Sequence, residues 1–336
     1  MFKHLCRLLI LGAVTALGVG CTAQLSESEI KAAYKTQAGP YTVQEAYRTR
    51  LDFPALDKSL AMRVAFPQEP GNYPLIVFSH GNGCLQDLYT GFADHWVSWG
   101  YVVVQPVHMD SRETGFTMKG ANMRIMNKVI SSRRDDVIHI LDSLDQLEAQ
   151  VSGLTGKIDR EQLIMAGHSM GAGTAMMLTG VTMESPRDGS LLQSDEDRFD
   201  AVMIISDPSN NRLMPDKPWL YTKVPTYIAT GTKDFSSIGA RDGKKSKGAF
   251  LIPADAVLQP QPHYYLFMEN SDHYLGGVIC RSNAPGPRDF DALTIINGSS
   301  TAFLDAYFDN DLNARAFLDS GEITELSGGR ATLDLR

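Results

Sequence analysis

The chain has 336 residues, a formal net charge of -8 from 31 Lys+Arg against 39 Asp+Glu, and 43% hydrophobic residues. That composition is globular and excludes a disordered, collagen-like or coiled-coil chain. The mild acidity and the lack of basic runs argue against nucleic-acid binding, which needs a cationic surface to neutralise phosphates.

At the N-terminus, Lys3, His4 and Arg7 precede an uncharged apolar run from Leu8 to Gly20. A spanning helix needs about 20 apolar residues, so residues 1–20 read as a secretory signal. The run ends in Gly18-Val19-Gly20-Cys21, which resembles a bacterial lipobox with Cys21 as the lipidation site. Gly18 stands where such boxes usually carry Leu; ordinary cleavage after Ala23 is the alternative. Export to the cell envelope is the expected localisation, with membrane attachment only through the N-terminal lipid. Residues 21–45 are polar and read as a tether, 46–320 as one catalytic domain, and 321–336 as a C-terminal tail.

Six short runs, apolar throughout, mark strands buried on both faces. They are Leu75–Phe78, Tyr101–Val104, Leu163–Ala166, Ala201–Ile205, Pro225–Ala229 and Tyr264–Met268. Helix-length segments over 86–99, 124–149 and 289–319 alternate with them or close the chain, and Asp159 is a candidate cap for a turn before the strand at 163. Strand–helix alternation implies right-handed crossovers and an α/β fold with a mostly parallel central sheet covered by helices on both faces. About 20 residues separate the strands ending at Ile205 and Ala229, too few for a large cap domain.

The sharpest motif is Gly167-His168-Ser169-Met170-Gly171, which follows a buried strand and precedes a helix-compatible run. A serine at such an elbow sits in a strained turn, glycines two before and two after relieve the crowding, and Oγ is presented at the carboxyl edge of the sheet. Upstream, Phe78-Ser79-His80-Gly81-Asn82-Gly83 closes an earlier strand. A Gly-rich loop there supplies one oxyanion N–H, from Asn82, and the residue after the nucleophile, Met170, supplies the other. A serine nucleophile needs a base and an acid that holds its tautomer. Asp234 and His273 each follow a strand end, in the order Ser, Asp, His. Asp207, also past a strand end, is the alternative acid. His80 is expected to shape its loop, His168 to pack beside the nucleophile and His263 to lie at the opposite sheet edge. His95, His108 and His139 have no visible partner, and Asp272 reads as a loop former. Trp219 is the tryptophan best placed to line a cleft, and the segment Phe235–Pro262, with Arg241, Lys244, Lys245 and Lys247, either overhangs that cleft or is a solvated loop.

These motifs resemble the α/β-hydrolase superfamily over about residues 50–320. Within it, Ile76–Gly83 with Trp99–Val104, Thr230–Asp234 and Ser271–His273 are similar to dienelactone-hydrolase-like esterases, bacterial polyester hydrolases and platelet-activating-factor acetylhydrolase. The resemblance implies Ser169 as nucleophile, Asp234 as acid, His273 as base, and Asn82 and Met170 as oxyanion donors. Dienelactone hydrolases proper carry Cys at the elbow, and the acetylhydrolases take their acid after the preceding strand, where Asp207 stands. The expected activity is hydrolysis of a small-molecule, lipid or polymer carboxylic ester, with no cofactor and no metal. Cleavage of a thioester or peptide, and a non-catalytic binding lipoprotein on the same scaffold, are the rival readings. In an exported protein Cys84 and Cys280 form a candidate disulfide near the rim of the site.

Overall fold

A computed structural model describes residues 25–335 apart from 55–57, 118–121, 195, 207, 209–212, 216–217 and 235–260. The expected signal and lipidation site at Cys21, the alternative acid Asp207 and most of the Phe235–Pro262 segment lie outside the described residues.

The sheet strands are β1 (Val43–Phe53), β2 (Lys58–Pro67), β3 (Tyr73–Ser79), β4 (Val102–Pro106), β5 (Ile158–His168), β6 (Ala201–Ile205), β7 (Thr226–Lys233), β8 (His263–Asp272) and β9 (Ala331–Leu335). They form one nine-stranded sheet in the spatial order β1-β2-β4-β3-β5-β6-β7-β8-β9. From β4 to β8 every neighbouring pair is parallel. β1 and β2 add an antiparallel margin at one side, and β9 pairs antiparallel with β8 at the other. All six apolar runs fall in β3 to β8. Side chains alternate across the sheet, so that Leu75 and Val77 face one core cluster and Ile76 and Phe78 the other.

Helices cover both faces. On one lie α2 (Thr90–Ser98) and α6 (Phe290–Phe308), burying Phe92, Trp96 and Phe303. On the other lie α3 (Met123–Asp142), α4 (Leu144–Gln150) and α5 (Met170–Leu178), burying Val137, Ile140, Leu147 and Met176. Asn122 caps α3, its Oδ1 accepting from Ile125 N at 3.1 Å. The segment read as one helix over 124–149 breaks at Ser143, whose ψ of 22° is not helical.

Four sequence readings need correction. Residues 27–45 are not a free tether: α1 (Glu27–Ala32) and the turn after it fold onto the domain. Tyr34 stacks on Phe317 of α7 (Leu312–Ser320) with ring centroids 5.4 Å apart, and Lys35 pairs with Asp305. Nor is 321–336 a loose tail, because α8 (Ile323–Leu326) leads into β9, which fills the β8 edge and removes its unpaired N–H and C=O groups. Asp159 lies inside β5, where the β3–β5 register shifts between Pro74 and Leu75 and its Oδ1 accepts from Glu161 N at 3.0 Å. Trp219 is buried in the core, and its carbonyl accepts from Thr222 Oγ1 at 2.8 Å beside His263, so it is no cleft wall.

Deleting residues 321–336 should therefore destabilise the whole domain. It exposes the β8 edge and loses the buried Ile323 and Leu333 side chains, at about 1.5–3 kcal/mol each. Chemical denaturation checks it; a midpoint matching the full chain would mean that the last strand is dispensable.

Candidate active site

Ser169 occupies the step from β5 to α5 with φ 56° and ψ -114°, a region that non-glycine residues rarely adopt. Its N–H donates to Ile205 O at 3.0 Å, and its carbonyl accepts from Gly173 N at 3.1 Å. The turn is held from both sides. It also brings backbones too close for side chains: a Cβ on Gly167 would sit 2.3 Å from Gly171 O, and one on Gly171 would sit 1.9 Å from Ser79 O. The two flanking glycines are thus required by the approach of the elbow to its own turn and to the end of β3.

His273 follows β8 and Asp234 follows β7, adjacent parallel strands whose carboxyl ends lie on the same edge as the elbow. His273 Nε2 lies 3.0 Å from Ser169 Oγ, and its Nδ1 lies 2.7 Å from Asp234 Oδ1. Asp234 Oδ2 accepts from Thr230 Oγ1 at 3.0 Å. Burial pushes the Asp234 carboxyl up, but hydrogen bonds from His273 and Ser206 and the nearby imidazole outweigh it and hold the group below its ordinary value. Asp272 is a turn former, as expected, its Oδ1 accepting from Tyr274 N at 2.8 Å and Gly276 N at 3.0 Å.

Three further residues surround these side chains, two of which, Ser206 and Tyr89, carry no sequence signature. Ser206, at the end of β6 with φ 61°, places Oγ 2.6 Å from His273 Nδ1. Tyr89 and His168 bridge the loop after β3 to the backbone of His273. Gly81 N donates to Tyr89 Oη at 3.1 Å, Tyr89 Oη lies 2.7 Å from His168 Nδ1, and His168 Nε2 lies 2.9 Å from the His273 carbonyl. A carbonyl only accepts, so Nε2 carries the proton and Nδ1 accepts from the tyrosine hydroxyl. His168 is thus a positioning partner of His273 rather than a packing residue alone. Burial, then the adjacent His273, holds its pKa down at about 3, so it stays neutral.

Asn82 and Met170 lie on two separate elements. Met170 opens α5, and the first N–H groups of a helix have no intrahelical acceptor. Asn82 lies in the turn after β3, between Gly81 and Gly83, whose φ is 63°. Cys84 is joined by a disulfide to Cys280, the two Cα atoms 4.9 Å apart. The bridge ties the turn after β3 to the segment after His273.

His80 shapes its own loop, with Nδ1 2.7 Å from Gly81 O and Nε2 accepting from His108 N at 3.2 Å. His108, expected to be unpartnered, is instead the centre of a second Ser–His–Asp chain. Its Nε2 lies 2.9 Å from Ser79 Oγ and its Nδ1 2.8 Å from Asp136 Oδ2. All three side chains are fully buried, so no substrate reaches this serine. His263 begins β8 at the amino edge, where its ring nitrogens meet Gln261 O at 2.9 Å and Thr222 Oγ1 at 2.7 Å.

The family model described as Chlorophyllase matches residues 32–193. That span carries the Ser79–Gly83 loop, the elbow and Ser169; Asp234 and His273 lie beyond it. With the strand order above, the match supports an α/β-hydrolase fold.

Burial holds His80, His95, His108, His168 and His263 below their ordinary pKa of 6.5. Each binds its proton less readily when folded than when unfolded, so unfolding takes up protons as pH falls below 6.5. The stability they contribute is complete above that pH and lost as pH falls, at no more than about 1.4 kcal/mol per unit for each histidine. Asp305, held up at about 6 by burial, offsets one such proton in the opposite sense. Urea denaturation should show several kcal/mol lost between pH 7.5 and 5; equal midpoints at the two pH values would contradict this.

Proposed function

We propose that this hydrolase cleaves carboxylic esters through an acyl-enzyme on Ser169. The observation that carries the reading is the unbroken chain from Ser169 Oγ through His273 to Asp234, at 3.0 and 2.7 Å, on a strained elbow at the carboxyl edge of a parallel sheet.

The geometry supports each step. As Oγ attacks the ester carbonyl, its proton passes to His273 Nε2 and the carbonyl π pair moves to oxygen. Asp234, ionised at neutral pH, stabilises the imidazolium and fixes its tautomer. The N–H groups of Asn82 and Met170 hold the oxyanion, each worth about 3–4 kcal/mol of transition-state stabilisation. Collapse returns the electron pair, breaks the bond to the alcohol oxygen and delivers the His273 proton to that leaving group. Water, activated by the same imidazole, then releases the acid.

Ser169→Ala should lower kcat on p-nitrophenyl esters by on the order of 10⁶-fold, and Asp234→Asn by on the order of 10⁴-fold. A chain-length series from acetate to palmitate would size the acyl site. A wild type that is labelled at Ser169 by a fluorophosphonate yet turns over no ester would move the assignment to a thioester or peptide bond. No labelling and no turnover would leave a binding protein on a hydrolase scaffold.

We also propose that the protein is exported and held at the envelope by a lipid on Cys21. A disulfide between Cys84 and Cys280 suits an oxidising compartment, and the lipobox-like residues before Cys21 support the anchor. Cys21→Ala should move the protein from the membrane fraction to the periplasmic or secreted one. Equal membrane retention by wild type and variant would refute the anchor.

A further inference from the structure

The guanidinium of Arg133, on α3, lies fully buried beneath the oxyanion loop. Asp110 binds it with both oxygens, from Nε and Nη2, each at 2.8 Å. The remaining donors do not serve another side-chain ion pair. Nη1 donates to His80 O at 2.6 Å and to Ser79 Oγ at 3.1 Å, and Nη2 donates to Gly81 O at 3.3 Å. Ser79 Oγ is held in turn by His108, and His108 by Asp136, so the guanidinium is anchored from two directions.

Two consecutive carbonyls are therefore aimed at one buried cation. A peptide bond is planar, and no bond among the described residues is cis, so each N–H points opposite to the C=O of its own peptide unit. The Gly81 carbonyl also accepts from His80 Nδ1 at 2.7 Å and from Cys84 N at 3.1 Å. With that carbonyl turned inward, the Asn82 N–H of the same unit is turned outward, away from the guanidinium. The alternative is a flipped Gly81–Asn82 peptide, a rotation about Gly81 ψ and Asn82 φ that the glycine on its amino side eases. Arg133 opposes it: the flip would point an N–H at a buried cation and take the acceptor from three donors, Arg133 Nη2, His80 Nδ1 and Cys84 N.

We infer that Arg133, clamped by Asp110, is a positioning residue that holds the Asn82 N–H in its oxyanion-binding orientation. This rests on the ester-hydrolase reading above. It assigns to a side chain that never meets substrate the task of selecting between two peptide orientations, and so acts on the transition state rather than on binding.

Two variants test it. Arg133→Lys keeps the buried charge opposite Asp110 but cannot span both carbonyls. Arg133→Met with Asp110→Leu replaces the ion pair by apolar groups of similar size, a change that buried pairs commonly tolerate. Thermal melts identify which of them fold. Steady-state kinetics on a p-nitrophenyl ester and inhibition by an alkyl trifluoromethyl ketone are then measured beside wild type. Ser169 adds to that ketone as an anionic hemiketal that occupies the oxyanion site. The expected result for the double variant is a kcat lower by on the order of 100-fold, KM within about threefold, and ketone affinity weakened in proportion to kcat. Folded variants with unchanged kcat would overturn the inference. So would a fall in kcat with unchanged ketone affinity, which is the mark of a merely structural loss. A wild type that neither turns over ester nor labels at Ser169 sinks the hydrolase reading and this inference with it; wild-type turnover with unaffected variants sinks this inference alone.

Discussion

Everything at the active edge depends on how closely α5 approaches the end of β3. Where the chain turns through Ser169, Gly171 lies so near the Ser79 carbonyl that a single added carbon would stand 1.9 Å from it. That contact packs the first turn of α5, with the Met170 N–H, against the point where the oxyanion loop leaves the sheet. The strained φ of Ser169 is stabilised by the surrounding backbone, through Ile205 O and Gly173 N, rather than by its own side chain. The hydroxyl is thus left free for His273. Strain, close approach and chemistry are one feature seen from three sides.

The polar interior beneath this edge would be costly if it were only structural. Buried histidines, a buried Arg133–Asp110 pair and a buried Ser79–His108–Asp136 chain each give up hydration, and replacing such groups by apolar ones is often neutral or stabilising. What they share is position. All but His95 and His263 border the loop from Ser79 to Gly83 or the imidazole of His273. Several of the hydrogen bonds they make end on backbone carbonyls of those segments, namely His80 O, Gly81 O and His273 O. The interior polarity therefore fixes peptide orientations, which apolar packing, being non-directional, cannot do.

The parallel core was legible because strands buried on both faces must be apolar throughout, and Leu75–Phe78 or Ala201–Ile205 permit little else. The elbow was legible because its glycines answer a steric demand within five residues. The sheet margins were not. β1 alternates exposed polar positions with half-buried ones, and α1 buries none of its own side chains, docking through Tyr34 and Lys35 beyond its end. β9 is a short strand whose value lies in covering an edge, a property of its partner rather than of its composition. Ser206, Tyr89 and His108 were equally silent: each meets its partner across tens of residues, and no local spacing encodes that meeting.

Two independent links join the oxyanion loop to the segment carrying the imidazole. One is the directed chain from Gly81 N through Tyr89 and His168 to the His273 carbonyl; the other is the disulfide from Cys84 to Cys280. The residues they join lie almost 200 positions apart in sequence, with a separation of 196 for the disulfide. Neither link uses the side-chain hydrogen bonds among Ser169, His273 and Asp234; the first ends on the backbone carbonyl of His273. The disulfide limits how far the two segments separate but leaves rotation within each turn. The hydrogen-bonded chain fixes direction, because only one tautomer of His168 satisfies both of its neighbours. Distance is thus set by a covalent bond and orientation by polar contacts. On the proposed ester-hydrolase reading, a site that must hold donors near 3 Å from a developing charge needs both, since a loop of correct reach with a turned peptide would offer the oxyanion a carbonyl instead of an N–H.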